Sequence, residues 1–456
     1  MARRLKDFRV QLGLIALSGL LIRVFTVLNW SRQFDPQGDQ NFYWRQAQDL
    51  AQGFGFVYRN NFGERIPTAA HPPLYSAYLG VVGLLGFSED SHVPYRLAST
   101  LLGFVAVIII GLTARRIAGN RAGLIAAALA AVYPNLWLND AMMISESMFS
   151  LTVALVLLAA YRCRDRLSTL NVVMLGVATA LAALTRAEAA VLIVILVVPV
   201  ILLTGRGRPN GARVPDGDPP VAWGTLARKS GLALLAAAVV VGPWVVRNYF
   251  TFSSHPVTLS NGSGFVVEIS NCDQTYGLAA PTDGAGNPLP NESPDKLLGY
   301  WAVECDRTPW PAGDETVVAA AKGQAGVAYI DEHKKRFPLV VAARVGRIWD
   351  VWRPVQSYEL NKFFERRGDL TTIAAMAMYY PLALAALGGL WVLIKRRVTV
   401  VPFLALFVMT TLTAAISFGI TRYRVGADVG LVVLAGVALD ALLSRWPILS
   451  PEGSTP

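Results

Sequence analysis

Carboxylates and guanidinium groups stand at the ends of apolar runs along this chain, where a charge costs on the order of 2–3 kcal/mol or more unless it lines something polar. In the first hundred residues these are Asp35, Asp39, Glu64, His71 and Arg96. Asp140 and Glu146 follow, then Arg186 with Glu188, Arg247 with Asn248, and Arg422 with Arg424. Guanidinium presents a planar fork of donors that suits a phosphate. A carboxylate beside such a clamp can accept the proton of an attacking hydroxyl. Together they would activate an amphiphile carrying a phosphate at headgroup level, with the phosphate as leaving group. A sugar linked to a lipid phosphate, attacked at its anomeric carbon, has that form.

The elements that must hold these residues are apolar helices. Of 456 residues, 54% are hydrophobic and only 16% are charged, with a mean hydropathy of +0.43. A soluble domain carries about 25% charged residues. Residues 101–112, 191–203 and 231–241 hold no charge and read as lipid-facing helices. A net charge of +10 would suggest nucleic acid in a soluble protein. Here the Lys and Arg residues fall in short clusters between apolar spans, which is the positive-inside pattern and excludes that partner.

Those clusters set the topology. Arg3, Arg4, Lys6 and Arg9 place the N-terminus inside, and Arg115, Arg116 and Arg121 mark the next inner end. No signal-peptide cleavage site precedes Trp30, so residues 11–29 are expected to form an uncleaved first span. Residues 74–87 are too short and too interrupted by glycine to cross, and are expected as an outer interfacial helix. Alternation then gives about ten spans, near 11–29, 94–114, 121–138, 142–161, 170–184, 188–204, 231–246, 371–395, 399–416 and 428–443. Both termini lie inside. The expected fold is an all-α polytopic membrane protein with an extracytoplasmic insert, α/β or irregular, near 247–370. The division is a transmembrane module over 1–246 that includes a first outer loop at 30–93, the insert at 247–370, and C-terminal helices over 371–456. All the residues of the opening paragraph then arrive at one face of a plasma membrane. Cys272 and Cys305 share the outer segment and can pair there, while Cys163 stays reduced. The three cysteines have no metal-ligand spacing, and no metal or other cofactor is expected.

Several stretches carry a family resemblance. Asp39-Gln40-Asn41-Phe42-Tyr43, followed by Ala47 and Gly53-Phe54-Gly55-Phe56, is similar to the first-loop motif of GT-C glycosyltransferases, nearest to the protein O-mannosyltransferase and lipid A aminoarabinose transferase group. His71-Pro72-Pro73-Leu74-Tyr75 resembles the group's His/Lys-Pro-Pro-Leu motif, and Arg96-Leu97-Ala98-Ser99 its Arg-Leu-(small)-Ser. Ser145-Glu146, Thr185-Arg186, Pro243-Trp244-Val245-Val246-Arg247-Asn248 and Arg422-Tyr423-Arg424 also match recurring stretches. The likeness covers residues 10–250 and 371–430. It implies an inverting transferase that takes a sugar from a polyprenyl phosphate to an extracytoplasmic hydroxyl on a protein, lipid or glycan. Asp39 takes the role of base. Tyr43, His71, Arg96, Glu146, Arg186, Glu188, Arg247, Asn248, Arg422 and Arg424 become substrate-binding candidates, His71 near the donor phosphate. Many relatives have an acidic pair where this chain has Asp39-Gln40. Residues 250–370 match nothing in the group, and acceptor choice is expected there.

Plainer readings stand beside these. Asp39 precedes a helical stretch and can be an N-cap. Asp35 before Pro36 reads as a turn residue. Arg96 can snorkel, Arg186 and Glu188 can simply pair, and Arg247 with Asn248 can anchor a span end. Arg422 and Arg424 alternate, so only one of them is expected to face a site. Trp30, Trp137 and Trp244 at span ends read as an interfacial belt. The sequons at Asn261 and Asn291 are at chance level. A transporter or lipid flippase is the alternative class, but it calls for midplane polar residues and repeat symmetry. A scaffold with a degenerate site is the third reading.

Overall fold

The computed structural model describes residues 7–59, 63–88, 90–206, 221–283, 287–290, 292–309, 311–363 and 367–444. Asn291 and residues 207–220, which fall between the spans expected near 188–204 and 231–246, lie outside them. Asp7 caps α1 (Phe8–Asn29) by accepting from the Arg9 amide. Beyond a short loop come α2 (Asp39–Ala51), a two-stranded antiparallel ribbon of β1 (Val57–Arg59) and β2 (Arg65–Pro67), and α3 (Leu74–Gly83). The membrane helices that follow are α4 (Val93–Ala118), α5 (Asn120–Val132), α6 (Pro134–Met142), α7 (Glu146–Asp165), α8 (Thr169–Ala183), α9 (Ala187–Gly205) and α10 (Trp223–Thr251). The 247–370 region contributes α11 (Ser263–Ile269), α12 (Glu315–Glu332), α13 (Phe337–Ile348) and α14 (Pro354–Phe363). Finally α15 (Asp369–Lys395), α16 (Val401–Ile416) and α17 (Val425–Leu443) complete the chain, the last entered through the turn Thr421–Arg424.

Seven of these elements are long and apolar enough to cross a bilayer, and the pair α5–α6, bent by 49°, makes up to eight. Pro134 causes the bend: it forces Tyr133 into an extended conformation and starts a new helix as an N-terminal proline. The sequence count of about ten differs because α8 and α16 are apolar yet only 15 and 16 residues long. A helix nonetheless stands at every expected span, and residues 74–83 form the short helix anticipated there. One core runs through the bundle, from Ala16 and Val107 to Val153, Leu175 and Leu434. Alanines 122, 126, 127, 130 and 131 on α5 are buried and let neighbouring backbones approach closely.

Above the bundle, α2 lies against α3 through Tyr43, Trp44, Ala47, Tyr75 and Leu79. Gly80 and Gly83 permit that approach, since a Cβ on either would stand 2.9 Å from the Leu50 or Ala51 Cβ. Of the α/β and irregular alternatives for the insert, the described residues show helices joined by irregular chain with an isolated bridge at Thr282–Pro288. Both named strands belong to the first loop instead. A disulfide joins Cys272 to Cys305, with Cα atoms 5.8 Å apart, and Cys163 is free and buried. Buried Lys322 pairs with Glu268 at 3.1 Å and also with Asp306, tying α11, α12 and the disulfide loop together. Glu315 accepts from the Ala69 amide and the Thr68 hydroxyl, both at 2.8 Å, and Ser260 donates to the Ala70 carbonyl at 2.6 Å. The insert therefore grips the backbone that leads into His71.

Candidate active site

Gly38, at φ 50°, turns the chain into α2 and is itself the N-cap, which leaves Asp39 as the first helical residue. The Asp39 carboxylate gains from the helix dipole there, but it turns outward to other partners instead of capping. Its Oδ2 lies 2.5 Å from Nη2 of Arg422, and its Oδ1 lies 3.8 Å from Nε2 of His71. Arg422 Nε in turn stands 3.4 Å from Oε1 of Glu146. Glu146 opens α7 after a left-handed Met143 and is 1% exposed. Its Oε1 also receives Nη1 of Arg186 at 2.5 Å, whose Nε reaches Glu188 Oε1 at 2.5 Å. The structure thus joins Asp39, Arg422, Glu146, Arg186 and Glu188 in one continuous chain of ion pairs, drawn from α2, α7, α9 and two turns.

Aromatic rings wall this chain of charges. The Arg186 guanidinium sits 4.2 Å from the centroid of Tyr423. His71 is flanked by Phe42 at 4.8 Å and Tyr43 at 5.2 Å, and Tyr43 meets Tyr75 edge-on at 4.9 Å. One turn along α2 from Asp39, the buried Tyr43 is hydrogen-bonded to Ser145. Burial pushes the Asp39 carboxyl up, but the neighbouring guanidiniums, Arg422 foremost, outweigh it and hold the group at about 2. Asp39 is therefore ionised at neutral pH while its side chain remains 33% exposed. Burial pulls His71 below the usual imidazole range, and Arg186 and Arg422 act the same way against Asp39, so the ring is neutral. Among the described residues no three His, Cys, Asp or Glu side chains converge as a metal site.

The other candidates stand elsewhere. Arg96 is fully buried and spends its guanidinium on loop carbonyls, donating to Ser31 O and, at 2.8 Å, to Phe34 O. Its Nη2 also reaches Gln40 Oε1 at 3.3 Å, so the residue that departs from the acidic pair is turned toward α4, away from Arg422. Arg247 donates to Thr68 O at 2.9 Å and Phe56 O at 2.8 Å, and Asn248 to Thr258 O at 3.3 Å, holding the ribbon and the start of the insert. Arg424 points inward, paired with Asp350 at 2.8 Å and Asp428 at 3.0 Å, with its guanidinium 3.6 Å from the Tyr379 centroid. Of the two arginines in that turn, only Arg422 faces Asp39. Asp140 is likewise apart, paired at 2.6 Å with Arg23 of α1. Sequence reasoning passed over Arg23, although a lone arginine in an apolar span is itself a signal of a buried partner. Ser145 and Tyr423 were also missed as site residues, and their adjacency to Glu146 and Arg422 was the available clue.

Residues 70–214 match the family described as dolichyl-phosphate-mannose-protein mannosyltransferase. The structure is similar to the oligosaccharyltransferase of Archaeoglobus fulgidus in its apo form, with a TM-score of 0.53 and 14% identity over 97% of this chain. The same enzyme tethered to an acceptor peptide containing the NVT sequon gives 0.51 and 15% identity. This chain spans about half the length of that enzyme, 51% of it in the apo form. ArnT from Cupriavidus metallidurans bound to undecaprenyl phosphate aligns over 96% of this chain and 81% of its own at 17% identity, but with a TM-score of only 0.37. No curated protein matches the sequence. The family match covers about a third of the chain, and the likeness to the solved structures is one of fold.

Proposed function

We propose that this protein is an inverting glycosyltransferase that moves a sugar from a polyprenyl phosphate to an acceptor hydroxyl on the extracytoplasmic side of the plasma membrane. The observation that carries the reading is the run of ion pairs from Asp39 through Arg422 and Glu146 to Arg186 at the mouth of an apolar bundle. In the proposed reaction Asp39 takes the proton of the acceptor hydroxyl as its oxygen bonds to the anomeric carbon. The bond from that carbon to the phosphate oxygen breaks, and its electron pair leaves with the lipid phosphate. Arg422 and Arg186 stabilise the charge that develops there, and neutral His71 donates a hydrogen bond to it. Tyr43 shapes the wall beneath Asp39. Arg96, Arg247, Asn248 and Arg424 act as positioning residues that fix the loop and the turn. The module boundaries follow the same division, with transmembrane parts at 1–246 and 371–456 and the insert at 247–370.

Purified protein incubated with a panel of radiolabelled polyprenyl-phosphate sugars and membrane acceptors should transfer label from at least one donor. Asp39→Asn should lower turnover by about 10²-fold or more, as expected for loss of a general base, while donor binding stays close to wild type. Full activity in that variant would remove Asp39 as base.

A further inference from the structure

Around the helix from Asp39 lies a second feature that the proposed reaction does not use. Asn41, Phe42, Arg45, Gln46, Tyr58 and Arg59 line a cavity of about 420 Å³, a size typical of small-molecule sites. On α2 the positions 38, 41, 42, 45 and 46 recur at three- and four-residue spacing and form one face. Asp39 and Tyr43 occupy the neighbouring face, roughly a quarter-turn away, which looks toward Arg422, Glu146 and Arg186. Phe42 belongs to both sides, since its ring lines the cavity and packs on His71.

Charge in this cavity is unevenly satisfied. Arg59 and Arg65 both use Asp49, each at 2.8 Å from its Oδ1. Arg45 pairs with no carboxylate among the described residues. It donates only a 3.4 Å hydrogen bond to Gln48 and lies 4.4 Å from the Trp44 centroid. A half-buried guanidinium without a counter-ion, set among two amides and two aromatic rings, presents what an anionic sugar needs. The amides bind hydroxyls, the rings cover C–H faces, and the cation meets a carboxylate or phosphate.

We infer that this cavity is an acceptor subsite for a negatively charged sugar, with Arg45 as the residue that selects its charge. The inference rests on the reading above, in which the arginines hold the donor phosphate. An acceptor hydroxyl must reach Asp39, and the cavity adjoins that residue's face of α2 about a quarter-turn away, with Phe42 shared between them. Acceptor recognition then begins in the first loop, not in the insert alone.

The test uses the full-length protein in nanodiscs and ligand-observed NMR titration with three probes: glucuronic acid, glucose 6-phosphate and glucose. At least one of the two anions should bind roughly tenfold or more tightly than glucose, as one charge-assisted hydrogen bond implies, and the tighter one identifies the anion. Arg45→Gln should abolish that preference, Arg45→Lys should retain most of it, and undecaprenyl phosphate should bind Arg45→Gln as it binds wild type. Glucose binding as well as both anions, an unchanged Arg45→Gln, or a parallel loss of undecaprenyl phosphate binding would each overturn the subsite. Anion binding in Asp39→Asn separates the two readings. It persists if the subsite is real, even were that variant to transfer sugar normally and so defeat the assignment of the base.

Discussion

Arg422 reaches Asp39 across 383 positions of sequence and places Nη2 2.5 Å from its Oδ2. The same guanidinium stands 3.4 Å from Glu146, so it has a second carboxylate to lean on if a phosphate draws it off the first. A carboxylate held by a guanidinium is a weak base, and one released from it in a desolvated pocket is a stronger one. In the proposed reaction, donor binding would therefore sharpen Asp39 by competing for Arg422.

That competition has a pH signature. The acidic limb of kcat/KM reports the free-enzyme base and is lost as pH falls through its pKa, here depressed to about 2. In wild type this limb should lie below the range in which the protein survives. Arg422→Gln removes the largest opposing influence and leaves burial to act, so the limb should rise to about 4 or beyond. Activity measured from pH 4 to pH 8 checks it: a flat acid side in the variant would show that Arg422 does not govern Asp39. Donor affinity should fall in the same variant by roughly tenfold, through the lost phosphate contact.

Glu146 should matter for stability as much as for turnover. It is buried between Arg186 and Arg422, and removing one partner of such a network leaves uncompensated buried charge. Glu146→Ala should destabilise the protein by about 3–5 kcal/mol, read as a marked drop in unfolding temperature in detergent. Replacing both members with apolar residues, Glu146→Leu with Arg186→Met, should recover at least half of that loss without recovering sugar transfer. If the double variant is as unstable as the sum of the singles, the pair is not coupled.

Much of this arrangement was legible because it follows from the cost of charge beside lipid. Glu146 and Arg186 stand where an unpaired charge would be expensive, and they are found paired with each other. The span positions followed from charge clusters and apolar runs, though α8 and α16 fall short of full crossing length. What was not legible is direction. Arg96, Arg247 and Arg424 have the same composition signal as Arg422 and Arg186, yet they point at backbone carbonyls or at inner acids. Which way an arginine turns is settled by tertiary neighbours such as Asp350, whose φ of 50° depends on the packing of α13 and α15 and leaves no local trace. The cavity beside Arg45 was invisible for the same reason, because its far wall is the ribbon at Tyr58 and Arg59.

The Cys272–Cys305 bond closes a loop 33 residues long within the insert. On chain-entropy grounds such a crosslink stabilises by on the order of 3–4 kcal/mol. Cys272→Ala with Cys305→Ala should lower the melting temperature and expose residues 272–305 to protease, while the Asp39–Arg422 pair, carried by other elements, should stay formed. Non-reducing mass spectrometry that finds both thiols free in the wild-type protein would reject the pairing outright, and with it the expectation that this segment faces an oxidising compartment.

Arg96 offers a way to separate positioning from contact. Its guanidinium ties the carbonyls of Ser31 and Phe34 to α4 and holds Gln40, the residue beside Asp39. A lysine has one ammonium where the arginine has a planar fork, so it cannot serve all three acceptors. Arg96→Lys should therefore loosen the entry to α2 and lower kcat, since the base is no longer held in register, while donor KM changes by less than about threefold. A residue that touched the donor phosphate would show the reverse, a large rise in KM with charge-preserving lysine as a partial rescue. Finding that pattern at Arg96 would place its guanidinium in the donor site and not behind the loop.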